Sequence, residues 1–390
     1  MLLPLQGLAG DIDDFRLWTR AIADHGLGRA YDQTVSFPAV MPWIWWLLGS
    51  LAPAVRSTVP DDATALALMK LPATLADLGI AALVGWSLRE RSVVAVVAAL
   101  AILLHPAVIY VSGLWGQYES LYVLPLLGAW PLLRGGRPGW AAVLIAVGLM
   151  TKPQALPLLV PFAAWYLRRE GLAGSLRAAV TGAVTVVLLW APFLAASGPA
   201  NYLDNLASYT SQFAVLSLRA WNPWWILQSL AGGNDFIADT SPIAGPVTLR
   251  WIGAGLALIG ELVVFAWVWR RPTATGLAWG LAAASLVAFC ALTTMHERYA
   301  YAALVFLLLA WPNPLAVGTW VLASVAITLN LLAAVPPNGP PGSLVPIGGA
   351  VGIAGSVAMS TVLATTLVGL RRATREPPQL EPVNPWASGV

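Results

Sequence analysis

Residues 92–134 read SVVAVVAALAILLHPAVIYVSGLWGQYESLYVLPLLGAWPLLR, and Glu119 and Arg134 are the only acid and base among them. Two apolar runs, 92–111 and 119–134, flank a short patch from Trp115 to Ser120. A helix needs about 20 apolar residues to cross hydrocarbon. The first run meets that length. The second is short, so it sits in thinned lipid or packs inside a bundle. The pair predicts an all-α membrane protein that gathers polar groups at its helix ends.

The same pattern repeats along the chain. Spans are expected at 64–89, 92–111, 119–134, 138–150, 153–168, 175–197, 246–270, 273–293, 297–311, 313–335 and 345–370, about eleven in all. Of the 390 residues, 58% are hydrophobic and 10% are charged, against about 25% charged in ordinary soluble domains. That composition excludes disorder, a disulfide scaffold and a soluble enzyme. The single cysteine, Cys290, provides neither a disulfide frame nor a thiolate metal site. Twenty Trp suit interfacial aromatic belts and sugar platforms.

The bases set an orientation. Arg89 and Arg91, Arg134 and Arg137, Arg168, Arg169 and Arg177, Arg270 and Arg271, and Arg371, Arg372 and Arg375 fall at every second break. These are 12 of 21 bases, with only Glu90, Glu170, Glu376 and Glu381 beside them. That parity predicts a cytoplasmic face by the positive-inside rule. The net charge of +3 is therefore a topology signal and not a nucleic-acid footprint. The same parity makes 37–55, with Pro38, Pro42 and Pro53, a re-entrant or interfacial helix pair.

The expected organisation is one transmembrane domain over 1–372. It has a first outer loop at 11–62 with interfacial helices and a long outer loop at 198–245. A disordered cytoplasmic tail follows at 373–390. MLLPLQGLAG reads as the end of a membrane helix whose beginning is missing.

The outer breaks collect polar groups from distant parts of the chain: Asp11, Asp13 and Asp14; His105; Gln117, Tyr118 and Glu119; Lys152; Arg219 and Asn222; and His296, Glu297 and Arg298. Each is costly near lipid unless paired or solvated, which suggests a shared wet cavity. The acids at 61–62 and 235–239 read instead as solvated loop residues. Asp11, Asp14 and Trp18 share a helical stripe, and Asp13 points elsewhere. Carboxylates without His or Cys spacing are a weak metal signal. Within the spans, Lys70 and Asp77 read as an ion pair or a midplane transport site. Glu261 reads as protonated or bound to a neighbour. Trp43, Trp45 and Trp46, with Trp221, Trp224 and Trp225, are candidates for lipid or sugar contact, or for interfacial anchoring.

The acidic loop ahead of Phe15-Arg16-Leu17-Trp18 is one of five stretches that together resemble GT-C glycosyltransferases. The others are HPAVIYVSGLWGQYESLYVLPLL, MTKPQALPLL, RAWNPWWIL and TTMHERYAYAALVFLLL. Within that group they look most like bacterial relatives of the GPI-anchor mannosyltransferases. The resemblance implies a GT-C-like bundle in a bacterial cytoplasmic membrane. Such an enzyme moves a hexose, mannose above all, from a polyprenyl-phosphate carrier to a lipid or glycan acceptor on the outer face, with inversion. It also implies Asp11, then Asp13, as the catalytic base, and His296, Arg298 and Lys152 around the donor phosphate. Gln117, Tyr118, Glu119, Glu297, Arg219, Asn222 and His105 are further substrate-binding candidates. No metal or other cofactor is expected. The C-terminus would be cytoplasmic, and the oligomeric state is open. Rival readings are a polytopic transporter or lipid flippase, and a lipid-linked glycan ligase or polymerase.

Overall fold

A computed structural model of the chain describes residues 2–5, 9–231, 235–336 and 345–375. Among them, six helices are long and apolar enough to cross a membrane: Ala63–Ser87 (α3), Gly171–Ala196 (α9 and its last turn), Leu249–Arg270 (α12), Ala274–Ala291 (α13), Pro314–Ala334 (α15) and Gly349–Ala373 (α16). A seventh forms if Ser92–Leu103 (α4) and Pro106–Trp115 (α5), bent by 41° at their junction, count as one span. The other expected spans are shorter helices: Glu119–Arg134 (α6), Pro138–Leu149 (α7), Leu159–Arg169 (α8) and Tyr301–Leu308 (α14). The all-α polytopic class stands.

Helix α13 is the hub of the bundle, with 83% of its apolar window buried. Its run of Ala and Gly lets neighbouring backbones come close, as small residues do between membrane helices. A Cβ on Gly280 would lie 2.7 Å from Val268 and 3.2 Å from Pro161. From the far side, Gly369 makes room for the Trp279 ring.

Two ends of the bundle differ. At the basic end, three arginines fold back over a tryptophan about one turn earlier. These are Arg89 over Trp86 at 4.4 Å, Arg134 over Trp130 at 4.8 Å and Arg169 over Trp165 at 5.2 Å. Arg271 donates to the Arg375 carbonyl at the same end. A guanidinium over an indole covers apolar surface while keeping its charge near water.

The opposite end is built from irregular pieces. Helix α1 (Ala9–His25) buries Ile12, Phe15, Thr19 and Ile22, a stripe at three- and four-residue spacing, against α2 (Val40–Leu51). At 37–55 the chain forms this one 12-residue helix and a 3₁₀ turn, Pro53–Arg56, where a helix pair was expected. Pro53 ends the helix before a second can start. The 198–245 segment is no plain loop. It holds α10 (Gly198–Gln212), β1 (Ser217–Leu218), α11 (Pro223–Ala231) and β2 (Pro242–Ala244); β2 pairs with β3 (Val247–Thr248). Strand β1 runs parallel to β4 (Met295–His296), setting Leu218 opposite His296.

Residues 2–5 form a turn, closed by Leu5 N–H donating to the Leu2 carbonyl at 3.0 Å, where a helix end was expected. Residues 1 and 6–8 lie outside the described residues, as do residues 376–390 of the expected tail.

Candidate active site

The 92–134 stretch also builds the site. His105 is extended, and its Nδ1 accepts from Ala107 N–H at 3.1 Å to cap α5, where Pro106 needs no partner for the N–H it lacks. Helix α5 then widens into a π-type turn over Ile109–Trp115, a distortion often found at functional sites. It ends at Gly116, with φ +86°. A Cβ there would be strained and would stand 2.8 Å from Ile12 Cδ1 and 3.1 Å from Lys70 Cγ. Only glycine lets α1 come this close to the 115–117 turn.

That approach fixes Asp11. Its Oδ2 accepts from Trp115 Nε1 at 3.1 Å and from Gln117 Nε2 at 2.6 Å. No hydrogen bond among the described residues reaches Oδ1. The Trp115 ring also stacks beneath Arg298, 4.6 Å from the guanidinium carbon. One indole therefore touches both the first-loop acid and the His-Glu-Arg turn.

Below Asp11 lies a buried floor of charge. Lys152 Nζ donates to Glu119 Oε1 at 2.7 Å. Arg298 Nε stands 3.3 Å from that same oxygen, and Arg298 Nη1 donates to Glu297 at 3.1 Å. All four side chains are at most 6% exposed. Two cations thus balance two carboxylates, and the expected wet cavity is here a direct ion-pair network. Burial pulls Lys152 below its ordinary range despite Glu119, and pushes Glu297 above its own. His296 is held well below its usual value, first by burial and then by Arg298 and Lys152, so its imidazole is neutral. It keeps one N–H donor.

The rim is more open. Asp11 and His296 are half-buried and Asp14 is exposed. Local desolvation, and then the neighbouring charges of Asp11 and Asp13, raises Asp14 above its ordinary range. Asp13 turns away, 53% exposed and 3.9 Å from Arg16.

Other predicted residues have structural partners. The Tyr118 hydroxyl donates to the Met69 carbonyl at 3.1 Å, fully buried. Asn222 donates to the Phe289 carbonyl and accepts from Trp225 N–H, which caps α11. His105 packs edge-on to Trp320, and no hydrogen bond or ion pair among the described residues joins it to the floor. Arg219, left-handed at φ +63°, pairs its backbone with His296 while its side chain donates to the Ala334 carbonyl.

Two expectations are corrected. Lys70 and Asp77 do not pair: Lys70 donates to the Leu5 carbonyl, and Asp77 accepts from the Tyr301 hydroxyl at 2.7 Å. Asp239 is not a solvated loop acid. It is wholly buried, takes two bonds from Arg250 at 2.8 Å and one from Thr293 at 2.7 Å, and so anchors the residues that lead into β4 and His296. Trp43, Trp221, Trp224 and Trp225 spend their indole N–H groups on the Leu189, Ile347 and Ala291 carbonyls. Of the two readings of Glu261, the bound one is not met, since neither of its oxygens has a partner among the described residues.

The family model for glycosyltransferase family 87 matches residues 48–295, more than half of the chain. The chain belongs to glycosyltransferase family 87. Family 87 is of the GT-C type, so this is a membrane glycosyltransferase, as the resemblance implied at that level. The match takes in Gln117, Glu119 and Lys152 and stops one residue before His296, with Asp11 ahead of its start. No curated protein matches the chain.

Proposed function

We propose that this enzyme transfers a hexose, mannose first among candidates, from a polyprenyl-phosphate carrier to a glycan or glycolipid hydroxyl. The transfer occurs on the non-cytoplasmic face, with inversion and with Asp11 as the base. The observation that supports it is the placement of Asp11. One carboxylate oxygen is held by Trp115 and Gln117, the other makes no hydrogen bond among the described residues, and the cations of the floor lie just beyond.

In that reaction the acceptor hydroxyl attacks the anomeric carbon and gives its proton to Asp11 as the bond to phosphate breaks. The bonding pair leaves with the polyprenyl phosphate, which gains a negative charge. Transition-state stabilisation must meet that charge where it grows. Lys152 and Arg298 retain N–H donors that make no hydrogen bond among the described residues, and His296 adds a neutral one. Because Glu119 and Glu297 already balance the two cations, the leaving phosphate competes with Glu119 for them. That competition releases product once the proton has moved.

The test is purified protein given polyprenyl-phosphate mannose, glucose or arabinose in turn, with a glycolipid extract as acceptor. Transfer from one of them with an inverted linkage is expected; no transfer from any lipid-phosphate sugar overturns the reading. Activity should survive EDTA, because the base and the phosphate ligands are side chains. Loss that Mg²⁺ or Mn²⁺ restores would sink the metal-free assignment. For the face, Phe236→Cys should label from outside intact cells and Glu90→Cys should not, since both positions are exposed and native Cys290 is buried. The opposite pattern reverses the orientation.

A further inference from the structure

Helix α10 brings to the rim two aromatic rings that no family motif singled out. Tyr209 and Phe213 lie one turn apart, with ring centroids 4.9 Å from each other. Phe213 meets the edge of His296 at 5.9 Å, and His296 meets Tyr299 at 5.1 Å. The four rings form a continuous wall beside the site. The Tyr209 hydroxyl lies within electrostatic reach of Arg298, Asp11, Asp14 and Glu297 and makes no hydrogen bond among the described residues. Asp14 likewise has no hydrogen bond or ion pair among them. Tyr209 and Phe213 are half-buried, so each keeps an accessible face. The wall is anchored: Asn205, one turn before Tyr209, donates to the Gln33 carbonyl at 2.8 Å.

Aromatic faces next to unsatisfied hydroxyl and carboxylate groups match the chemistry of a pyranose. Such a ring offers C–H bonds on one face and hydroxyls around its edge. We infer that Tyr209, Phe213 and Asp14 form the binding wall for a sugar ring of the acceptor, which makes the acceptor a glycoside. The rings stack on its C–H face, and Tyr209 and Asp14 bind its hydroxyls. The acceptor is favoured over the donor because the wall stands on the exposed rim with Asp14, whereas the donor phosphate belongs to the buried floor. This inference rests on the proposed glycosyl transfer for its role, but its test reads binding alone.

The enzyme is placed in lipid nanodiscs free of glycosidic detergent, and Gln212→Cys puts an exposed thiol beside Phe213. Octyl α-mannoside should slow maleimide labelling of that thiol about threefold or more, while an octyl ether without sugar should not. Phe213→Leu, which keeps apolar bulk but removes the ring, should abolish the protection in the same background. Tyr209→Phe, which keeps the ring and removes the hydroxyl, should weaken it about tenfold in mannoside concentration. Protection by polyprenyl-phosphate mannose alone, equal protection with and without Phe213, or no protection at all overturns the assignment. Mannoside protection in an enzyme that transfers no sugar leaves the wall standing and removes the transfer reading. The reverse result does the opposite.

Discussion

Asp11→Asn is expected to lower the rate of sugar transfer by about 10²–10⁴-fold, the usual worth of a positioned general base, while donor binding stays near normal. Asparagine keeps the shape and can still accept from Trp115 and Gln117, so α1 stays docked. What it loses is the free oxygen able to take a proton. The measurement is single-turnover transfer set beside equilibrium binding of polyprenyl-phosphate mannose. Asp14→Asn is the comparison, because Asp14 lies one turn on and has no hydrogen bond or ion pair among the described residues. A collapse of transfer in Asp14→Asn with Asp11→Asn active would move the base by one turn. Asp13→Asn should be nearly silent, since Asp13 faces away toward Arg16.

The second large effect concerns the floor. Arg298→Met leaves Glu297 without its guanidinium and Glu119 with Lys152 alone. Removing one partner of a buried ion pair costs about 3–5 kcal/mol, so thermal unfolding in detergent should shift sharply downward. The double variant Arg298→Met/Glu297→Gln should recover much of that loss by removing the orphaned charge, yet should remain inactive. Recovery of stability without activity separates the two roles of the arginine. If the single variant unfolds like the parent, the ion pairs carry little stability and the floor is better described as a loose pocket.

Much of this arrangement is readable from sequence because membranes punish misplaced charge. Asp11, Gln117, Glu119, Lys152 and the 296–298 turn stand out as polar groups at apolar helix ends, and the structure brings them together. Other features lie beyond such reading. Whether a half-apolar Trp anchors or binds depends on where its indole N–H finds a carbonyl, and the Ile347 and Leu189 carbonyls that take them lie far away in sequence. Asp239 resembles a loop acid until Arg250 and Thr293 close around it. Lys70 and Asp77 share a helix face, yet each meets a residue from outside that helix. Tyr209 and Phe213 were missed because α10 is amphipathic and polar enough to pass for an outer loop. The aromatic residues at 202, 209 and 213 were the available signal.

The Trp115 indole joins the first helix to a turn almost 300 residues later, and that has a consequence for biogenesis. During synthesis Asp11 meets Trp115 and Gln117 early, while the Arg298 that covers the same indole arrives only after further helices have been threaded into the bilayer. Closing contacts this distant along the chain comes late and slowly. A ribosome stalled before that turn would leave a membrane-embedded intermediate without a competent centre, so premature chemistry is ruled out by the order of assembly.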